Sequence, residues 1–336
     1  MHGEPKSKGD LIKLESELID EASARAMLET IRWGDSGPRC IFEDCGGAEV
    51  YRIEVKGKTY VKADGTERHV PARHLYKCKA CKRQFSVTKG TIFEDSKIPL
   101  TTWIRIMYRM CSSKKGISAV QIHREYGIAY EAAWFLLHRI RWAMTNKDFS
   151  PFSGVIEADE TYVGGKPRGN MTYRSQSMNM SQRIKAAWEK KTPVFGMLER
   201  GGRVRAVAAP NKLSKKAVQA ALVANIDLAN SQLMTDEHAY YQGIEQHLPH
   251  GVIRHKSEYV RGEVHTQGIE SFWAGLKRQL VSTHHHVDAG YLNMYVQEHA
   301  YRHNTREISD RERFLNLLGQ VDGRLDWYVG ENAKGE

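Results

Sequence analysis

Acidic residues occur at three places between residues 155 and 280, where strands and a helix are predicted to meet. VIEADETYVGGK places Glu157, Asp159 and Glu160 at the end of an apolar run, LMTDEHAYY contains Asp236, and HTQGIESFWAGLKRQL contains Glu270. An acid at the end of a buried strand is costly unless a partner compensates its charge. Acids from neighbouring strands and a facing helix can converge on one point, where their oxygens would bind two hard divalent cations. Such ions clamp the attacking and leaving oxygens of a phosphodiester displacement, which is the chemistry that these acids could perform.

Each acid also has an ordinary explanation. Asp159 could cap a loop, Asp236 could cap the helix predicted after it, and Glu270 could be a surface residue. By strand alternation Glu157 and Asp159 face one way and Glu160 faces the other, so spacing alone does not choose between the first two. The joint occurrence of the acids at these positions favours a shared site.

Four cysteines form two pairs with the spacing of a metal site. Cys40 and Cys45 are separated by four residues, and Cys78 and Cys81 by the two residues of CKAC. Paired cysteines on tight turns are typical of a tetrahedral four-cysteine zinc site. A redox CxxC motif is the alternative, but no βαβ pattern surrounds it. Cys111 lies among apolar helical residues, and we predict a buried thiol there.

The balance of charge favours a polyanionic partner. The chain has 336 residues and a formal net charge of +10, which indicates nucleic acid before an acidic membrane surface. No window approaches the ~18 apolar residues of a membrane span, and no signal-peptide core begins the sequence, so we expect a cytoplasmic protein. Cations between the cysteine pairs and just after them are candidates for phosphate contact: Lys56, Lys58, Lys62, Arg68, Arg73, Lys77, Lys79, Lys82 and Arg83.

Periodicity divides the chain into five parts: an N-terminal helix (1–37, with the helix over 9–33), a zinc ribbon (38–95), a helix-turn-helix-like DNA-binding region (96–149), an α/β catalytic domain (150–318) and a C-terminal tail (319–336). The DNA-binding region has predicted helices at 100–112, 118–126 and 130–146, with Gly127 dividing the last two. The catalytic domain has predicted strands at 154–163, 193–199, 203–209, 232–236 and 252–255 and predicted helices at 213–229, 238–247, 265–280 and 288–304. This order indicates a mixed α/β sheet.

These motifs together resemble a known family. ADETYVGGK, TDEHAYY and HTQGIESFWAGLKRQL, followed by HHHVDAGYLNMYVQEHAYRHNTR, are similar to the zinc-ribbon DDE insertion-sequence transposases, the bacterial relatives of the Merlin elements. YKCKACKRQFSVTKGTIFEDSKIPL resembles the ribbon of that group, and the resemblance covers roughly residues 38–315. It implies a ribonuclease H-like catalytic domain in which Asp159, Asp236 and Glu270 hold the metal ions. Glu157 and Glu160 would then either contact the metal ligands from outside or face solvent.

The family also has a lysine seven residues after the glutamate, which is Lys277 here. Two helical turns place Lys277 on the face of Glu270, where it could hold a DNA phosphate or form a surface salt bridge. The sequence departs from the family at Gln267, where asparagine is usual, and in the wider first cysteine pair. The run His284–His286 near the predicted catalytic helix receives no assigned role.

The resemblance implies a transposase of a bacterial insertion sequence. It would bind the terminal repeats of double-stranded DNA and use two Mg2+ (or Mn2+) ions for strand cleavage and strand transfer, with one structural Zn2+ ion in the ribbon. Because two element ends must be joined, we expect a homodimer or a larger synaptic complex, associated with the nucleoid and not with a membrane. The alternatives are a DNA-binding regulator derived from a transposase and a stand-alone ribonuclease H-like nuclease.

Overall fold

The structure is a computed structural model that describes residues 7–70, 72–145, 148–164, 191–209, 213–253 and 264–325. The chain divides into two compact units, one of Met1–Ser112 with Ile308–Asp326 and the other of Ser113–Glu307 with Trp327–Glu336. None of the helices in the described ranges is long and apolar enough to cross a membrane.

The helices and strands alternate in groups along the chain. The helices are α1 (Asp10–Glu17), α2 (Glu21–Trp33), α3 (Leu100–Ser112), α4 (Ala119–Tyr126), α5 (Tyr130–Ala143), α6 (Lys215–Asn225), α7 (Gln267–Gln279), α8 (Leu292–Asn304) and α9 (Asp310–Leu318). The strands are β1 (Val50–Val55), β2 (Lys58–Val61), β3 (Glu67–Val70), β4 (Arg73–Cys78), β5 (Gln84–Phe85), β6 (Phe152–Val163), β7 (Thr192–Glu199), β8 (Val204–Ala208), β9 (Ile226–Thr235) and β10 (His250–Val252).

The first unit begins with two helices where periodicity predicted one over residues 9–33. The Asp20 carboxylate accepts a hydrogen bond from the Ser23 N–H at 2.8 Å, and the Ser23 hydroxyl accepts one from the Asp20 N–H at 2.9 Å. This capping box starts α2 afresh after α1 has ended. The prediction of a single helix is therefore wrong, although Leu14 and Leu18 from that segment are both buried.

A small three-stranded sheet follows, in the order β1-β4-β5, and β2 and β3 form a separate two-stranded sheet. The buried side of the three-stranded sheet is aromatic. The Tyr76 ring packs 5.0 Å from Trp33 of α2 and 5.6 Å from Phe85, measured between ring centroids. This cluster is small, so the ribbon has little apolar core of its own.

The second unit is built on a mixed five-stranded sheet in the order β10-β9-β6-β7-β8. The hairpin pairs β6–β7 and β7–β8 are antiparallel, whereas β6–β9 and β9–β10 are parallel. The central strand β6 therefore has an antiparallel neighbour on one side and a parallel neighbour on the other. The predicted mixed α/β domain after an N-terminal ribbon is confirmed.

Helices cover both faces of this sheet. On one face, apolar residues of β7 and β8 pack against α7 and α8, with Phe272, Trp273 and Val296 among the buried residues. On the other face, β6, β7 and β9 pack against α6 and the loops after β9, with Leu222 and Tyr241 in the core. The result is a three-layer arrangement in which β6 is buried on both faces.

Of two predicted helices in this unit, one is shorter than predicted and the other is not an α-helix. Helix 213–229 ends at Asn225, and β9 begins at once with Ile226, a β-branched residue, instead of at 232. The segment 238–247 forms two 3-10 turns, Ala239–Tyr241 and Ile244–Gln246, and not an α-helix. Gly243 lies between them with φ 90°, a left-handed conformation that stops the helix.

Helices α4 and α5 are joined by a three-residue turn in which Gly127 has φ 65°. Within the second unit, α5 is tied to α8 by a fully buried ion pair. The Glu298 carboxylate accepts hydrogen bonds from Arg141 Nε and from Arg302 Nη2, each at 2.6 Å. Because removing one partner of such a group leaves a buried charge uncompensated, this contact fixes α5 against α8.

Candidate active site and zinc centre

Asp159 lies on the central strand β6 and faces helix α7. Its Oδ2 accepts a hydrogen bond from the indole Nε1 of Trp273 at 3.0 Å. Gly196 on β7 is directly opposite Asp159 in the ladder, and a Cβ there would come within 2.7 Å of the Trp273 ring. The absence of a side chain at Gly196 therefore gives the indole room to reach across the sheet to Asp159.

Asp236 follows the last residue of β9, which runs parallel to β6. The register pairs Glu157 with Met234, and the same offset continued by two residues sets Asp236 level with Asp159. Burial, with the nearby charges of Glu160 and Asp236, raises the pKa of Asp159 to about 7. The structure thus brings the first two predicted acids together at the point where β9 ends beside β6.

Glu270 and Lys277 lie on α7, on the face that carries Trp273. Both side chains are exposed, and Glu270 Oε1 accepts a hydrogen bond from the Thr266 hydroxyl at 2.6 Å. Among the described residues, Asp159, Asp236 and Glu270 do not form a group whose carboxylate oxygens all lie within 4.8 Å of one another. Glu270 is instead one helical turn from the tryptophan that contacts Asp159.

Glu160 faces the opposite side of β6, as strand alternation predicts. Its Oε2 accepts a hydrogen bond from the Tyr241 hydroxyl at 2.8 Å, and its Oε1 lies 3.4 Å from His238 Nδ1. The backbone N–H of His238 also donates a hydrogen bond to Asp236 Oδ1 at 3.0 Å. Burial, together with the charge of Asp236, raises the pKa of Glu160 to about 7. Glu160 is therefore linked to Asp236 through His238.

Glu157 shares the face of Asp159, and one of its contacts is to the start of helix α7. Its side chain is fully buried, with Oε1 3.0 Å from Arg200 Nε and 3.4 Å from His265 Nδ1. Its Oε2 accepts the backbone N–H of Ile269, in the first turn of α7, at 2.9 Å. A carboxylate at a helix N-terminus is stabilised by the unpaired N–H groups there. Glu157 thus fastens the helix that carries Glu270 to the strand that carries Asp159.

Replacing Glu157 by alanine is expected to lower the free energy of unfolding by about 3–5 kcal/mol, because Arg200 Nε and the Ile269 N–H would both lose the buried carboxylate that they contact. Urea unfolding measures the change. Glu157→Gln keeps an acceptor for the Ile269 N–H and is expected to lose less. The matched control is Glu237→Ala, an exposed acid whose loss is expected to change stability by less than about 0.5 kcal/mol. A Glu157→Ala protein as stable as the control would contradict this role.

The remaining polar residues near α7 lie outside the acidic group. Gln267 is exposed at the first position of the helix. His284 packs its ring 4.7 Å from the Tyr295 ring, and burial, with Arg141 adding to the effect, lowers the pKa of His284 to about 4. It is therefore a half-buried ring that is neutral at pH 7, whereas His285 and His286 are exposed.

The four predicted zinc ligands converge. Their sulfur atoms all lie within 4.8 Å of one another, with Cys40 3.8 Å from Cys81 and Cys45 3.7 Å from Cys78. Four sulfurs bound to one zinc ion at about 2.3 Å stand about 3.8 Å apart at the corners of a tetrahedron. The group fits a four-cysteine zinc site, even though the first pair is wider than CxxC. Cys111 is buried in α3, as predicted.

Residues around the cysteines shape this site. The Arg83 side chain hydrogen-bonds to Cys81 and lowers the pKa of that thiol to about 6, whereas burial raises the pKa of Cys40 to about 12. A Cβ on Gly47 would lie 3.0 Å from the Cys78 sulfur, so this glycine lets the chain approach the sulfurs closely. A cation beside a thiol favours the thiolate, which is the form that binds a metal.

Sequence reasoning missed several residues that the structure places at the acidic site. Trp273 stands in the motif ESFWAGLK, so its spacing from Glu270 was available as a signal. Gly196 and Arg200 carried no such signal, because they sit on β7 and in the turn after it and reach the site only through strand pairing.

Comparison with known proteins finds a match for the N-terminal zinc-ribbon region and another for the α/β domain that follows it. Residues 151–304 match the ISXO2-like transposase domain, and residues 19–84 match the transposase zinc-ribbon domain. The chain is also 27% identical to a protein described as an uncharacterized protein in transposable element ISH50 of Halobacterium salinarum, over 308 residues that span 90% of this chain and 97% of that protein. The first match contains all three predicted acids, and the second contains all four cysteines. This chain therefore matches a transposase zinc-ribbon domain followed by an ISXO2-like transposase domain, and it is similar to a protein of an insertion element.

Proposed function

We propose that this transposase cuts and joins DNA strands at the ends of its insertion sequence by metal-dependent phosphodiester chemistry. The observation that carries the proposal is the placement of Asp159, within β6, level with Asp236, which directly follows the parallel strand β9. Two buried or half-buried acids so close together repel each other, and a divalent cation would relieve that repulsion.

The strand order supports a ribonuclease H-like fold for the catalytic domain. An antiparallel run of three strands, β6 to β8, is extended past β6 by the parallel strands β9 and β10. In this arrangement β9 ends beside the central strand β6, which itself continues to Val163, and the two aspartates lie where β9 ends.

Asp159, Asp236 and Glu270 are the proposed ligands of two Mg2+ or Mn2+ ions, since carboxylate oxygens are the donors that these ions prefer. When bound, such ions lower the pKa of an attacking water or 3′-hydroxyl and neutralise charge on the phosphate. Lys277, two helical turns after Glu270, would contact a DNA phosphate. Trp273 orients the Asp159 carboxylate through its indole N–H.

In this proposal residues 38–95 and 96–149 bind the element ends, and residues 150–318 perform the chemistry. The ribbon and the α4–α5 helix pair are both small modules of kinds that contact duplex DNA. Joining two ends requires both to be held at once, so the active form would be a dimer or a larger assembly.

The test is a strand-transfer assay. The purified protein is incubated with a pre-cut oligonucleotide carrying the terminal repeat, with a plasmid target, and with Mg2+, Mn2+ or EDTA. Metal-dependent joining of the oligonucleotide to the plasmid is the expected result. Tight, sequence-specific binding without cleavage in either metal would identify a regulator instead, and cleavage without joining would identify a nuclease.

A further inference from the structure

The ribbon projects an exposed β-hairpin that contributes nothing to the core. Strands β2 and β3 pair with each other and, within the described residues, with no other strand. Every residue from Lys56 to His69 is exposed, including the large apolar side chains of Tyr60 and Val61. A two-stranded hairpin alone is marginally stable in water, so its persistence outside the core calls for a function.

The pairing register shows which side chains share a face of this hairpin. Tyr60 is opposite Arg68, and Lys58 is opposite Val70, so these four side chains lie on one face. Strand alternation adds Lys62 to the same face. We call Lys58, Tyr60, Lys62 and Arg68 the basic face.

The other face is different in character. It carries Thr59 opposite His69, joined by a hydrogen bond of 3.0 Å, and Val61 opposite Glu67. The remaining acid of the hairpin, Asp64, is used within the turn, where its Oδ1 accepts the N–H of Thr66 at 2.9 Å. The basic face therefore has three cations and an aromatic ring and no acid.

Ion pairing separates these cations from others in the ribbon. Lys79 pairs with Glu49 at 2.8 Å, and Arg83 pairs with Asp44. In the part of the chain that the structure describes, the three cations of the basic face lie in no ion pair. Their charge remains available to a partner.

We propose that the hairpin is an arm that lies in a groove of duplex DNA, with Lys58, Lys62 and Arg68 on phosphates and Tyr60 against the backbone. The major groove is about 12 Å wide and admits a two-stranded β-ribbon. The partner is identified by charge complementarity, since a polyanion with regularly spaced phosphates matches cations on one face. This inference rests on the proposed function, because it supplies a DNA contact for the same transposase.

The test compares two double variants of the full chain that remove equal charge. Lys58→Ala/Lys62→Ala removes two cations of the basic face, and Lys13→Ala/Lys97→Ala removes two exposed lysines elsewhere in the same unit. Affinity for a terminal-repeat duplex is measured by fluorescence anisotropy over a series of salt concentrations, and zinc content confirms that the ribbon is intact.

The hairpin variant is expected to bind about tenfold more weakly at physiological salt, and the slope of log affinity against log salt is expected to fall by about 2. The control variant should stay within about twofold of the wild type. Equal affinity and equal slope for the two variants would overturn the arm and indicate that the lysines only protect the strand edges from aggregation. Failure of the wild type itself to bind the duplex would instead refute the proposed function.

Discussion

Replacing Asp159 by asparagine is expected to lower strand transfer roughly 1000-fold, the scale on which removal of one electrostatic group from a preorganised site acts. The substitution keeps the shape of the side chain, and its amide oxygen can still accept the Trp273 N–H that Asp159 accepts at 3.0 Å. It removes the negative charge, and with it a proposed metal ligand. Because burial already disfavours that charge, raising the pKa of Asp159 to about 7, the stability of the fold is expected to be unchanged or slightly higher.

The measurement pairs the strand-transfer assay with urea unfolding of the same preparations. Glu237→Gln is the matched control, because Glu237 is an exposed acid next to Asp236 and its neutralisation is expected to leave both readouts unchanged. Loss of activity together with loss of stability would point to a structural role for Asp159. Retention of activity within about tenfold of the wild type would contradict its place in the catalytic group.

The direction in which the acidic side chains of β6 point was the feature of this site that the sequence predicted well. Period two puts Glu157 and Asp159 on one face and Glu160 on the other, and the structure agrees. What alternation could not provide is the partner of each acid. Arg200 and the N-terminus of α7 reach Glu157 from segments 43 and 112 residues away along the chain. The choice of Asp159 over Glu157 as the proposed metal ligand thus came from family resemblance, and in the structure both oxygens of Glu157 contact protein groups.

The predicted ends of helices were wrong where a local sequence signal competed with the periodic apolar pattern. The capping box of Asp20 and Ser23 restarts a helix inside a continuous apolar stripe, so periodicity alone joined two helices into one. In the segment after Asp236, the helix-like composition gave way to two 3-10 turns separated by Gly243. Those turns bring His238 and Tyr241 against Glu160. The prediction of an α-helix over the same residues gave no sign of this contact.

Removal of zinc is expected to unfold the ribbon and leave the sheet of the second unit intact. The strands of the ribbon are mostly exposed, and their buried side is limited to an aromatic cluster around Tyr76 and Phe85. A module with so small a core depends on its metal, and structural zinc supplies an apparent binding free energy of about 10–16 kcal/mol in small zinc domains. Hydrogen exchange of the protein with and without a chelator measures this. Amides of β1 and β4 are expected to lose protection, while those of β6 and β7 keep it.

Two cysteine variants distinguish the effect of losing a zinc ligand from the effect of losing a buried thiol. Cys81→Ala removes one sulfur of the four-cysteine group and is expected to abolish stoichiometric zinc binding and the protection of the ribbon amides. Cys111→Ala removes a buried thiol outside that group, so it is expected to cost about 1 kcal/mol of stability and to leave one zinc ion per chain. A ribbon that stayed protected in the zinc-free Cys81→Ala protein would show that the aromatic cluster suffices. DNA affinity should fall with the zinc content, because the hairpin that carries Lys58 and Arg68 extends from β1 and β4 and loses its base when they unfold.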